Sequence, residues 1–372
     1  MHLVVLAEDF YPTISGGAHV RWHFSRLAAE SNRITVFTPR VQGTEARETV
    51  DGVEIVRPFE AKPHKLPSYA GIAVVSRILY SVLITFYLIF WLRGKSVDGI
   101  HSTDHSIHWT ATVVSELYSI PHVSFVGYTP TIHTTSLSNP KVLLERLNFR
   151  LFMGDFAFCR TPEVRESLVA TGTDSKILHG ILDKETIRST VDSLDRDAVR
   201  DEYRVDADDR LLVFVGRITP LKRVRLAVDV VSRLPDGFKL LIVGDGPEQS
   251  DIRRYVSESN LDSDVEFTGR LPHEEALEII AAADGLILTS KAESYSAVAL
   301  EALALGRSVF ATPVGVLPEV EHERLYLGEP TTLPEIIESC EFDNERCVDE
   351  ETLSRFSMGH YTETILNKFD EL

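Results

Sequence analysis

The sequence predicts an α/β protein with two doubly wound parallel sheets, and three observations carry that reading. The chain has 372 residues, room for two domains at roughly 150 residues each. Its short apolar runs, rich in Val, Ile and Phe, lack polar alternation, as strands covered on both faces do. Those runs alternate with helical patterns, the crossovers that parallel strands require.

In the first half the expected strands are Leu3–Ala7, Ile34–Thr38, Val53–Val56, Gly99–His101, Val123–Val126 and Phe156–Phe158. In the second they are Leu211–Val215, Lys239–Val243, Val265–Phe267, Gly285–Leu288 and Ser308–Ala311. Helices are expected at Val224–Leu234, His273–Ala283 and Ser296–Leu305, so the second half reads as successive βαβ units. Asp183–Arg210 is dense in charge and reads as a linker with a short polar helix. The expected division is an N-terminal domain at 1–183, a C-terminal domain at 184–355 and a final helix at 356–372. That helix carries Tyr361, Ile365, Leu366 and Phe369 at helical spacing.

Composition narrows the function classes. Hydrophobic residues make up 44% and charged residues 25%, which excludes a disordered or collagen-like chain. A net charge of -18 argues against a nucleic-acid surface, which needs cations over a wide face. Only 10 of the 38 cations are Lys, and acid-rich, lysine-poor sequences suit strong brine, so a halophilic source is expected. Cys159, Cys340 and Cys347 are too scattered for a disulfide scaffold or zinc cluster, which fits a reducing cytoplasm. The opening lacks the basic region of a signal peptide and reads as a buried strand.

Ile78–Leu92 is uncharged and flanked by Arg77, Arg93 and Lys95. It is short of the ~20 residues that span a bilayer. Three readings stay open: a buried core helix, an interfacial helix that rests on a membrane through Tyr80, Phe86, Tyr87, Phe90 and Trp91, or, least favoured by its length, a true span.

Three segments carry candidate chemistry. Gly216-Arg217-Ile218-Thr219-Pro220-Leu221-Lys222 follows a strand directly, where α/β sheets bind ligands. Arg217 and Lys222 can converge on a diphosphate and stabilise charge on a departing nucleoside diphosphate. Glu293 lies in the loop after Gly285–Leu288 and Glu301 in the next helix, so both carboxylates can accept bonds from sugar hydroxyls. The start of that helix, at Ser294, Tyr295, Ser296, Ala297 and Val298, offers backbone N–H groups to phosphate. Gly16 and Gly17, after the first strand, allow close approach of backbone to a ligand.

Other motifs point elsewhere or nowhere. His101, His105 and His108 share a face if their stretch is helical, but a metal site needs further ligands. The Asp-x-Asp pairs at Asp195, Asp206 and Asp262 fall in charged loops and read as solvated surface. Neither GxGxxG, GxxxxGK[ST] nor HExxH occurs, which disfavours dehydrogenase, P-loop and zincin chemistry.

With those residues in view, Phe214–Val320 resembles the C-terminal domain of the GT-B retaining glycosyltransferases of family 4. The segments VGRITPLKR, LLIVGDGPE, VEFTGRLPHEE and AADGLILTSKAESYSAVALEALALGRSVFATPVGVLPEV carry the likeness. AEDFYPTISGGAHVRWHFSRLA resembles that family's first loop and helix, and Arg355-Phe356-Ser357 the start of its crossing helix. The resemblance implies a GT-B fold, two Rossmann-like domains facing a cleft, with a nucleotide-sugar donor held by the C-terminal domain. Arg217 and Lys222 would hold the diphosphate, Glu293 the sugar, Glu301 the ribose, and backbone at Arg270 and Leu271 the base. Gly17 would line the cleft. No cofactor or metal is implied, because the cations take the metal's place. The implied chemistry is transfer with retention to an acceptor on the N-domain, and the apolar segment suggests a lipid-linked acceptor at the inner membrane face, in cell-surface or glycoprotein glycan assembly.

One departure stands out: where the family often has a His, this chain has Gly127. It keeps open a second reading, a non-catalytic nucleotide-sugar binder or partner subunit. A third is a GT-B sugar-nucleotide epimerase.

Overall fold

The computed structural model describes residues 1–13, 16–59, 71–127, 140–293, 295–342 and 348–372. Two compact units emerge, one of Met1–Gly180 with Met358–Leu372, the other of Ile181–Ser357.

The first unit opens β1 (His2–Leu6), α1 (Gly16–Ala29), β2 (Arg33–Phe37), β3 (Arg47–Val50), β4 (Val53–Val56) and α2 (Gly71–Trp91). It continues β5 (Gly99–Ser102), α3 (His108–Tyr118), β6 (His122–Val126), α4 (Pro140–Leu151), β7 (Phe156–Cys159), α5 (Pro162–Val169) and β8 (Ser175–Ile177). The sheet order is β3-β4-β2-β1-β5-β6-β7-β8, parallel except for β3 against β4. β3 was not expected from the sequence. It reads Arg-Glu-Thr-Val, a half-exposed edge whose Arg47 pairs with Glu54 of β4 at 3.1 Å.

Strand burial explains why the apolar runs are strands: β5, β6 and β7 are buried at every position. The expectation of a shared helical face for His101, His105 and His108 is corrected. His101 lies on β5 and His108 opens α3, so a strand-to-helix turn separates them.

The second unit runs α6 (Lys184–Ser193), α7 (Arg196–Glu202), β9 (Arg210–Val215), α8 (Val224–Val231), β10 (Phe238–Val243), α9 (Gln249–Glu258) and β11 (Val265–Gly269). Then come α10 (His273–Ala282), β12 (Gly285–Leu288), α11 (Ala297–Ala304), β13 (Ser308–Ala311), β14 (Leu325–Leu327), α12 (Leu333–Glu338) and α13 (Glu350–Arg355). The sheet is wholly parallel, in the order β11-β10-β9-β12-β13-β14. The charged stretch expected as a linker with one helix holds two, capped by Asp183 and Asp195 side chains. Asp284, nearly fully buried, ties α7 to the sheet through Arg196 at 2.9 Å, Arg200 at 3.1 Å and Arg210 at 3.6 Å.

The last helix, α14 (Met358–Glu371), belongs to the first unit and packs on α1, with Tyr361 edge-on to Phe24. Gly99 and Gly180 make room for it: a side chain there would collide with Phe369 or Tyr361.

Candidate functional site

In each sheet the strand order reverses at one point, and ligands of doubly wound folds bind outside the strand ends there. In the second unit that point lies between β9 and β12. The loop after β9 begins at Gly216 and the loop after β12 carries Glu293, so both candidate loops leave the sheet side by side.

The two loops are joined. Lys222 Nζ donates to Glu293 Oε1, which also accepts from Ser290 Oγ at 2.7 Å. Arg223, in a left-handed backbone conformation, donates to the carbonyls of Thr289 at 2.7 Å and Ser290 at 3.0 Å. Thr289 Oγ1 returns a bond to the Arg223 carbonyl at 3.0 Å, so the β12 loop is pinned to the Lys222–Arg223 end of the basic turn. Lys222 and Glu293 side chains are 24% and 11% exposed, dry enough for their charges to act strongly on a ligand. Arg217 is exposed and makes no ion pair among the described residues.

Glycines set the shape of the site. A Cβ on Gly244 or Gly246 would lie 1.9 Å from the Gly216 carbonyl oxygen or 2.2 Å from that of Ile218, so the β10 turn backs directly onto the basic loop. Gly315, at φ 61°, would place a Cβ 2.9 Å from the Glu293 carbonyl oxygen and so lets the β13 loop lie against it.

The start of α11 has an unusual cap. Ser296 is left-handed, at φ 54°, and its buried hydroxyl has no hydrogen-bond partner among the described residues. Tyr295 is buried beside it, Ala297 and Val298 are half-buried in the first turn, and Ser294 lies outside the described residues. A buried orphan hydroxyl at a helix N-terminus suits an anionic ligand.

Glu301, five residues into α11, does not join Glu293. It accepts from His273 Nε2 at 2.9 Å, and that bond, with the Glu301 charge, holds the imidazole above its ordinary pKa. The sequence marks His273 only as the start of a helix, not as a site residue; it follows Arg270 and Leu271 by a few residues, at the start of α10. Arg270 is exposed and Leu271 half-buried, just beyond β11.

In the first unit the sheet reverses between β1 and β5. Gly16 and Gly17 start α1, and a Cβ on Gly17 would come within 3.2 Å of the Arg21 guanidinium. That guanidinium donates to Asp104 Oδ1 at 2.5 Å. Nearby, His101, His108 and His122 are buried. Ser102 Oγ lies 2.7 Å from both His108 Nδ1 and His122 Nε2. Burial holds His101 down to about 4 and His122 down to about 3, and pushes His108 well below its usual value. Neutral imidazoles bonded to Ser102 and the Val123 carbonyl make a polar core layer, in which His101 Nε2 and His108 Nε2 have no hydrogen-bond partner among the described residues. Among the described residues no group of three His, Cys, Asp or Glu side chains could hold a metal ion.

Comparison with known proteins bears most directly on the second unit, where the joined loops lie. Residues 195–341 match the Glycosyl transferases group 1 family. The group 1 segment contains Arg217, Lys222, Glu293 and Glu301. A D-inositol 3-phosphate glycosyltransferase of Mycobacteroides abscessus is 39% identical over 144 residues, 37% of this chain and 32% of that protein. An N-acetyl-alpha-D-glucosaminyl L-malate synthase of Bacillus anthracis is 32% identical over 128 residues, 34% of this chain and 33% of that protein. The chain thus spans about a third of the length of these relatives. Among solved structures, Anabaena Alr3699/HepE in complex with UDP superposes with a TM-score of 0.71 at 17% identity, over 100% of both chains. The group 1 match and that likeness agree on the fold: α/β of GT-B type, with two Rossmann-like parallel-sheet domains, as the sequence led one to expect.

Proposed function

We propose that the chain is a retaining glycosyltransferase of family 4 that moves a sugar from a nucleoside diphosphate to an acceptor. The observation that carries this is the Lys222–Glu293 pair at the strand-order reversal of the second sheet, inside the group 1 segment. Lys222 and Arg217 bind the diphosphate and stabilise the charge that develops as the anomeric C–O bond breaks. Glu293 accepts bonds from sugar hydroxyls, and Glu301 from the ribose. Backbone at Arg270 and Leu271 meets the base, and the start of α11 faces phosphate. The fixed cations serve the leaving group without a metal. The relatives' names, acting on inositol phosphate or malate, support sugar transfer to a hydroxyl.

The acceptor is lipid-linked in this reading, for glycan assembly at a membrane. Helix α2 buries Tyr80, Ile84 and Leu88 against the core and exposes Ile78, Leu79, Leu83, Phe86 and Phe90. So the helix is core on one side and an apolar face on the other. Arg93 sits over the Phe90 ring at 4.5 Å, and Lys95 over Trp91 at 3.4 Å, cations placed for anionic headgroups. Among the described residues no helix is long and apolar enough to cross a membrane. The charge of -18 fits a protein that works in brine.

Titration calorimetry with UDP- and GDP-sugars at high salt tests the donor site. Binding of one class, lost in Arg217→Ala and Glu293→Ala, supports it; no binding by the folded protein refutes it. Phe86→Asp with Phe90→Asp should abolish sedimentation with anionic vesicles, and equal sedimentation of variant and wild type refutes the membrane contact. Gly127, without a side chain where the family often has His, favours the second reading, donor binding without turnover.

A further inference from the structure

Helix α1 carries a pair of histidines that the donor chemistry leaves unused. The helix is seated on the core by Val20, Phe24 and Ala28, which follow one another at four-residue spacing and are each 4% exposed or less. His19 and His23 each precede one of these by a residue, so they share the neighbouring stripe of the helix, one turn apart. His19 is exposed and His23 half-buried. Their ring centroids lie 4.2 Å apart with the planes inclined at 51°, so the rings touch without stacking.

Two imidazoles one helical turn apart are a chelator; the same spacing presents both histidines of a helical HExxH site to one zinc ion. Metal–nitrogen bonds of ~2.0–2.1 Å require donor nitrogens about 3 Å apart, within reach of rings already in contact. Each imidazole has two ring nitrogens, so it can keep a hydrogen bond at one and bind metal through the other. Among the described residues no third His, Cys, Asp or Glu joins the pair, so water completes the coordination. That donor set selects the ion. Imidazole suits Cu²⁺, Ni²⁺ and Zn²⁺, with Cu²⁺ bound tightest, whereas Mg²⁺ and Ca²⁺ take oxygen ligands.

We propose that His19 and His23 form a site for a divalent transition-metal ion that stiffens the start of α1 and takes no part in the transfer itself. The helix opens on Gly16 and Gly17, the residues most costly to order in a helix after proline. A metal bridging His19 and His23 ties that first turn to the next, which the core already holds through Phe24. The net charge of -18 draws cations to the surface. Arg26, three residues beyond His23 on the same stripe, opposes them locally and limits the affinity.

The test is calorimetric titration of the full chain with the chlorides of Cu²⁺, Ni²⁺, Zn²⁺ and Mg²⁺ in a chelator-free buffer, with paramagnetic resonance of the Cu²⁺ sample. Cu²⁺ should bind tightest, Ni²⁺ and Zn²⁺ more weakly and Mg²⁺ not at all, and the Cu²⁺ spectrum should show two imidazole nitrogens. His19→Ala and His23→Ala each break the chelate and should weaken Zn²⁺ about tenfold or more. Metal-free Tm values of wild type and variants separate lost binding from lost folding, and His19→Ala, at an exposed position, should leave the metal-free Tm unchanged. Added Zn²⁺ should then raise the Tm of the wild type and of neither variant. The proposal is overturned if both variants bind Zn²⁺ as the wild type does, if Mg²⁺ binds as tightly as Zn²⁺, or if Zn²⁺ leaves the wild-type Tm where it was. None of these readouts depends on sugar transfer.

Discussion

Replacing Lys222 with methionine should weaken UDP binding about 30-fold. An ammonium about 4 Å from a phosphate oxygen gains about 4 kcal/mol per charge pair at an effective dielectric of about 20. Here the ammonium is shared. Its present partner, Glu293 Oε1, stays within reach and keeps part of its field when the diphosphate arrives. Taking half the gain leaves about 2 kcal/mol, and about 1.4 kcal/mol is tenfold in Kd. The variant also strands the Glu293 carboxylate, 11% exposed, with Ser290 Oγ as its remaining side-chain donor among the described residues, so stability should fall by about 1–3 kcal/mol. Glu293→Gln is the informative companion. It removes a competing anion, so UDP alone should bind as well as before or more tightly, while the intact sugar nucleotide loses affinity. Calorimetry with UDP and UDP-glucose at constant salt, with urea unfolding alongside, reads all three effects. A Lys222→Met Kd for UDP within about threefold of wild type would refute the reasoning, as would Glu293→Gln weakening UDP itself.

Three further outcomes follow from the same structure. Because His101 and His122 are held below their ordinary pKa, the unfolded chain binds more protons below pH 6.5. Stability is therefore full above that pH and falls by about 2–3 kcal/mol per histidine by pH 4.5; His122→Asn should flatten the acid limb in urea titrations, and an unchanged slope contradicts the assignment. His273 has the opposite sign: its raised pKa adds stability below pH 6.5 that is lost as pH rises through the folded value. With the imidazole 61% exposed this amounts to a few tenths of a kcal/mol, but His273→Ala frees Glu301 and should tighten UDP severalfold at pH 6 and not at pH 9. Asp284→Asn breaks a carboxylate held by Arg196, Arg200 and the Leu211 N–H, and should cost about 3–5 kcal/mol in the urea midpoint; a cost under about 1 kcal/mol would show that the arginines find other partners.

The elements readable in the sequence are those whose burial is two-sided. Leu3–Ala7 and Lys239–Val243 came within a residue of β1 and β10 because a strand covered on both faces has to be apolar throughout. The strands missed lie on edges. β3, β8 and β14 have three or four residues each; β3 and β8 have no apolar run and β14 only Leu-Tyr-Leu, and they exist because a neighbouring strand offers them a ladder. The histidines show the same limit: a spacing of 101, 105 and 108 suggests one helix face, but His101 is claimed by the sheet through its bond to the Val123 carbonyl.

For the candidate site, residue type and local context were enough to single out Arg217, Lys222, Glu293 and Glu301, since a basic loop and an acidic loop each follow an apolar strand directly. Which of them meet was not. Lys222 reaches Glu293 across 71 positions because β9 and β12 are neighbours at the reversal of the sheet, while Glu301 turns to His273 on α10. Among the aromatics of Ile78–Leu92, Tyr80 is buried against the core and not turned to a membrane, which the apolar run by itself does not distinguish. Hydrophobic period and loop chemistry are local properties of a chain and determined the fold class. Pairing, orphaned polar atoms and shifted proton affinities depend on which distant segments share a low-dielectric space, and only the tertiary structure decided those.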